Sequence, residues 1–106
     1  KNVFLKFSAR LPENAPQGTA VVFGEPYSTL VRDDDVGKNG VFSLTLENNN
    51  GTFEISPNVG EQKANFVIRV RNNELLDYEQ RTYVVFTVII NFRHVFFSQE
   101  IIIIFK

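Results

Sequence analysis

Six of the twelve carboxylates in this chain fall in three short patches: Glu13 within Pro12-Glu13-Asn14, Asp33-Asp34-Asp35 followed by Asn39-Gly40, and Asp77 and Glu79 within Leu76-Asp77-Tyr78-Glu79. Carboxylate and amide oxygens are the donors a hard cation takes, and Ca2+ takes roughly 6 to 8 of them. Carboxylates brought to one place also repel unless a positive charge sits among them. Each patch lies between apolar segments that read as β-strands. The acids therefore belong on loops at the ends of a sheet rather than along its faces.

The elements that must position these loops show a period of two. Phe42, Leu44 and Leu46 alternate with Ser43, Thr45 and Glu47; Phe53 and Ile55 with Thr52, Glu54 and Ser56; Phe66, Ile68 and Val70 with Asn65, Val67 and Arg69. With Val3 to Ser8, Thr19 to Gly24, Tyr83 to Phe92 and Val95 to Phe105 the count reaches seven strands. Turn chemistry separates them at Pro12, Pro16-Gln17-Gly18, the loop from Asp33 to Gly40, Asn48 to Gly51, Pro57 to Gly60 and Asn72-Asn73. This predicts an all-β, two-sheet Greek-key sandwich. If each strand reverses direction, the loop holding Glu13 and the loop holding Asp77 and Glu79 lie at the pole where the chain exits. The loop holding Asp33, Asp35 and Asn39 lies at the opposite pole.

Composition narrows the functions. A chain of 106 residues fits one domain, residues 1–106, which should bury roughly 60 to 70% of its unfolded surface. Eleven Phe, many Val and Ile, and no Met or Trp favour strands. A net charge of −1 with no run of Lys or Arg speaks against nucleic acid or anionic lipid as a partner. The apolar stretches fall well short of the ~20 residues that span a bilayer, so a membrane link would run through an anchor outside this chain. No signal peptide's apolar core is present; if the protein is secreted, this is a piece of a longer one. With no cysteine, neither a disulfide nor a thiolate metal site is available. Asn50-Gly51-Thr52 is the sole N-glycosylation acceptor pattern and falls in a hairpin turn.

Glu13-Asn14-Ala15-Pro16-Gln17-Gly18-Thr19, Asp33-Asp34-Asp35-Val36-Gly37-Lys38-Asn39-Gly40, Phe53-Glu54-Ile55 and Leu76-Asp77-Tyr78-Glu79 follow in that order. In motif and spacing the chain resembles the extracellular cadherin repeat from about Phe7 to Phe92. The resemblance implies a seven-stranded, immunoglobulin-like sandwich from a long non-classical array. It implies that Glu13, Asp77 and Glu79 ligate calcium at the exit pole, the latter two as the Asp and Glu of an LDxE motif. Asp33 and Asp35 match the family's DxD and Asn39 its loop asparagine, which supply ligands toward the preceding repeat. The implied work is calcium-dependent cell adhesion. Structural Ca2+, shared with adjacent cadherin repeats, stiffens an extracellular array of a plasma-membrane protein that engages other cadherins or cell-surface proteins.

Two departures bear on that role. Near the end of the strand in register Phe86, Val88, Ile90, Phe92, where the family places an aspartate, this chain has Asn91-Phe92-Arg93. That pole lacks one carboxylate and gains a nearby cation, so its calcium is expected to be weak, altered in stoichiometry or absent. No Asp/Asn-rich linker follows the last strand before Lys106.

Plainer readings stand beside these. Asp33 to Asp35 can cap a solvated turn in which Gly37 and Gly40 supply positive φ, and Asp77 and Glu79 can be surface acids of a helical turn. Tyr78 reads as packing on the sandwich edge and His94 as a surface or strand-end residue. In the run from Ile101 to Phe105, Ile101, Ile103 and Phe105 face the core, while Ile102 and Ile104 need cover from neighbouring strands, another protein or an adjoining domain. The alternative function is a calcium-independent β-sandwich recognition domain of a cell-surface receptor. Catalysis is not expected, because no nucleophile with a base, carboxylate with a raised pKa or phosphate-cradling glycine loop is evident.

Overall fold

The computed structural model describes residues 3–24, 27–32, 40–76, 82–93 and 95–105. Its strands are β1 (Val3–Leu11), β2 (Val22–Phe23), β3 (Leu30–Arg32), β4 (Val41–Glu47), β5 (Phe53–Ser56), β6 (Val59–Glu61), β7 (Lys63–Asn65), β8 (Val67–Val70), β9 (Tyr83–Phe92) and β10 (Val95–Phe105). A 3-10 turn, Asn73–Leu75, precedes β9. Eight strands pair in the order β2-β1-β10-β9-β4-β6-β7-β3, and β5 pairs with β8. The β1–β10 pair is parallel, with Val3 opposite Phe97 and Leu11 opposite Phe105. Nearly the whole chain forms the crossover between those two strands, as a parallel pair requires.

The long sheet curls because both of its ends meet one line of chain. At one end β3 pairs with β7, Leu30 opposite Asn65. At the other, the segment leading into β2 bonds to β8 through Val21 N to Ile68 O at 2.8 Å and Val70 N to Thr19 O at 2.9 Å. The result is a two-layered, all-β sandwich with extents of 49 × 24 × 24 Å. The core lies between the layers. Phe86, Val88 and Ile90 from β9 and Ile101, Ile103 and Phe105 from β10 face Phe53, Phe66, Ile68 and Val70. Each such side chain removed from water contributes about 1.5–3 kcal/mol, which is why the alternation read from the sequence persists in the ladder.

Three details differ from the sequence reading. The expected strand from Thr19 to Gly24 is a bridge at Ala20, opposite Arg69, followed by a short pairing of Val22 and Phe23 with β1. The chain then turns, Tyr27 N to Gly24 O at 3.1 Å, and rejoins the β7–β8 line where Phe66 N meets Thr29 O at 3.0 Å. This excursion puts Tyr27 in an aromatic cluster, 4.3 Å from the Phe7 centroid and 4.4 Å from that of Phe23. The second difference is at Pro57 to Gly60, read as a break, where β6 pairs with the start of β4. Gly60 sits opposite Phe42, and the Phe42 ring occupies the place a Cβ would take. The third is Gly40, which is not among the positive-φ glycines. Close approach is its reason: a Cβ there would fall 2.9 Å from Gln62 Cγ, beside the Gln62 N to Gly40 O bond of 2.6 Å.

Candidate metal site at the poles

At the downstream pole, where β10 ends, two loops are tied by backbone. After Leu11 the chain turns through Pro12-Glu13-Asn14, closed by Ala15 N to Pro12 O at 3.2 Å. Asn14 takes a φ of 57°, a conformation Asn tolerates better than most residues. Its amide donates to Leu76 O at 2.9 Å, and the Asn73 Nδ2 amide donates to Ala15 O at 3.3 Å. The Asn72 side chain accepts from Glu74 N at 3.0 Å and caps the short turn that delivers Leu76. Leu76 is fully buried, and Ala15 nearly so. Glu13 stays exposed.

This anchoring brackets one segment of acids. Leu76 fixes the start of segment 77–81 against the Glu13 loop. Phe105 N to Thr82 O at 3.1 Å fixes its other end to the last residue of β10. Asp77, Glu79 and Tyr78 lie outside the described residues. Both flanks of their segment nonetheless sit at the pole that carries Glu13.

The upstream pole is built differently. Segment 33–39, with Asp33, Asp35 and Asn39, lies outside the described residues, as does His94. Its flanks are Arg32, opposite Lys63, and Gly40, bonded to Gln62. Nearby, the β9–β10 connection turns at Arg93 with a φ of 57°. Asn91 pairs with Ser43 on β4 and Phe96 on β10. Its Oδ1 is buried with no hydrogen-bond partner among the described residues.

Does calcium fit? Glu13 is an oxygen donor of the kind Ca2+ takes, on a loop held by backbone hydrogen bonds. Among the described residues, no group of three or more His, Cys, Asp or Glu gathers. Glu13 would therefore need Asp77 and Glu79 beside it to make a site.

The same pole has features that the acid pattern does not signal. Thr52, expected to face outward, is buried, and its carbonyl accepts from Arg71 N at 2.7 Å and Asn72 N at 3.2 Å. Asn72 and Asn73, read only as a break between strands, are the side chains that hold the two loops in place. On the outer face, Thr82, Tyr83, Val85, Ile102, Ile104 and Phe105 line an open depression of about 580 Å³. The Ile101 to Phe105 alternation is as expected: Ile101, Ile103 and Phe105 are buried, Ile102 is half-buried and Ile104 is 36% exposed.

No protein-family model matches the chain. Over 83 residues, 78% of its length, the chain is 64% identical to Cadherin-86C of Drosophila melanogaster. The chain belongs to the cadherin repeat family. This repeat spans 4% of the length of Cadherin-86C. Its fold is also that of the repeats in the crystal structure of human protocadherin-24 EC1-2, with a TM-score of 0.62, 21% identity, and coverage of 94% of this chain and 39% of that one. A second crystal form of the same protein gives a TM-score of 0.55 at 19% identity, covering 94% of this chain and 40% of the other. At such identities the likeness concerns the backbone alone.

Proposed function

We propose that this cadherin repeat is a load-bearing adhesion module whose downstream pole is cross-linked by structural calcium to the repeat that follows it. Glu13, Asp77 and Glu79 supply carboxylate oxygens, and the neighbouring repeat completes the shell. The hydrogen bond from Asn14 N to Leu76 O carries this reading, because it joins the Glu13 loop to the residue preceding Asp77. Asp33, Asp35 and Asn39 face a preceding repeat, where Asn91 in place of a carboxylate and the nearby Arg93 leave calcium weak or absent. When bound, the metal neutralises the clustered carboxylates; its role is mechanical rather than catalytic. The protein is then the extracellular part of a plasma-membrane molecule, residues 1–106 being one repeat of a long array that meets other cadherins or cell-surface proteins.

The test is a calcium titration of a fragment extended through the next repeat, read by melting temperature. Calcium should raise the melting temperature of the native fragment, and Asp77→Ala should abolish most of that rise. A melting temperature indifferent to calcium, with no change on Asp77→Ala, would leave the calcium-independent recognition domain as the better reading.

A further inference from the structure

We propose that Asn50 carries an N-linked glycan whose first N-acetylglucosamine docks in the cleft between the β4–β5 turn and the start of β9, shielding a strand edge that has no ladder partner among the described residues. β4 pairs with β9 only from Ser43–Asn91 to Glu47–Thr87. Beyond Glu47 the chain crosses to the other layer, where β5 pairs with β8. Among the described residues, Tyr83 to Phe86 therefore have ladder partners on β10 alone. A strand edge without a ladder partner is a template for unwanted pairing and is normally covered.

The cover lies in the turn beside it. Asn48, Asn49, Asn50, Thr52 and Phe53 line one side of a cleft of about 250 Å³, and Tyr83, Val84, Val85 and Phe86 line the other. None of these residues carries a charge, which suits a neutral ring. The Asn49 amide is committed to the turn, donating to Phe53 O at 2.7 Å and accepting from Gly51 N at 3.0 Å. Asn50, with a φ of 52°, is exposed at the tip. It heads the Asn50-Gly51-Thr52 acceptor sequence.

In the modification, Asn50 Nδ2 bonds to C1 of the sugar and gives up a proton, while the lipid diphosphate of the oligosaccharide donor leaves from C1. The Thr52 hydroxyl, buried in the folded domain, is accessible when transfer precedes folding. The linkage starts the sugar at the cleft wall. Its C–H face can lie on the Tyr83 ring, 57% exposed, as amphipathic rings commonly pack at wet surfaces. Its hydroxyl and acetamido groups can meet the open backbone N–H and C=O groups of the β9 edge.

The inference shares with the proposed function only the passage of the chain through the secretory pathway. The test uses the chain secreted from mammalian cells held to high-mannose glycans. Four preparations are compared: intact, trimmed by endoglycosidase to one N-acetylglucosamine, stripped by amidase, and Asn50→Gln. Mass spectrometry should place the glycan on Asn50. The intact and single-sugar forms should melt roughly 4 °C above the stripped and Asn50→Gln forms. Amide exchange at Tyr83 to Phe86 should be slower in the two sugar-bearing forms. Tyr83→Ala, a change at an exposed position, should remove most of that gap. Absence of sugar on Asn50, a gap that survives Tyr83→Ala, or equal melting and exchange across the four forms each overturns the proposal. Calcium dependence in the two-repeat fragment is read separately, so that failure of one proposal is not mistaken for failure of the other.

Discussion

The two ends of the sandwich are held by different mixtures of contacts. At the downstream end, short loops are tied by peptide and amide hydrogen bonds, Asn14 to Leu76 and Asn73 to Ala15, over the buried Leu11 and Leu76. Toward the upstream end rings add to backbone bonds such as Gln62 N to Gly40 O. Tyr27 packs against Phe7, Phe23 and Phe66, while Phe92 lies 5.3 Å from Phe42 and 5.4 Å from Phe97, centroid to centroid. Hydrogen bonds are directional and fix loop positions, whereas ring contacts are broad and tolerate adjustment. The end with hydrogen-bonded loops is the one where a metal shell is proposed, and loops held in place lose less conformational freedom when a cation gathers their oxygens.

Removing a fully buried ring should separate stability from calcium binding most clearly. Phe66→Ala should cost about 3–5 kcal/mol in urea unfolding, yet leave the calcium affinity of a two-repeat fragment close to native while that fragment is folded. Affinity falling in step with stability would show that the ends are not independent.

Leu76→Ala should cost about 2–5 kcal/mol and also weaken calcium binding, because the cavity loosens the anchor between the Glu13 and Asp77 loops. Isothermal titration beside denaturant unfolding checks both. Loss of stability with affinity intact would break the link between anchor and site.

Tyr27→Phe probes the upstream half more gently. The Tyr27 hydroxyl donates to Gln99 Oε1 at 2.6 Å, and its loss should cost about 1–3 kcal/mol by leaving a part-buried acceptor unpaired. Burial holds the Tyr27 phenol above its ordinary pKa of 10.0. The folded state thus favours the neutral phenol. Its contribution is complete below about pH 10 and declines above, by at most about 1.4 kcal/mol per pH unit. Alkaline melts of the native chain should show that decline and the Phe variant should lack it.

The smallest effect on the isolated repeat is expected from Glu13→Gln, within about 0.5 kcal/mol without calcium, since the residue is exposed. In the two-repeat fragment it should reduce the calcium-dependent rise in melting temperature. An unchanged rise would take Glu13 out of the ligand set.

Much of the fold was legible because burial and side-chain alternation share one period. Phe42 and Leu44, Phe66, Ile68 and Val70, and Phe86, Val88 and Ile90 are buried as their spacing predicted. The strand expected from Thr19 to Gly24 was misjudged because alternation cannot reveal that a chain leaves one neighbour for another. Tyr27 is drawn to the Phe7 ring, which is distant in sequence, and Phe23 packs on Tyr27. The candidate site was partly legible: its acids stand out by type, but the asparagines that fix the Glu13 loop look like ordinary turn residues.

Strand period and turn preference are local properties of residues, so the letters alone specify a sheet protein with Glu13 in a turn. They also specify membership of the cadherin repeat family, because ordered motifs survive as letters. Only the tertiary structure decided that Asn14 meets Leu76, that β4 abandons the first residues of β9, and that Asn50 stands beside that open edge. Those facts join residues separated by dozens of positions, and such contacts are chosen by the packing of the whole core rather than by any segment of it.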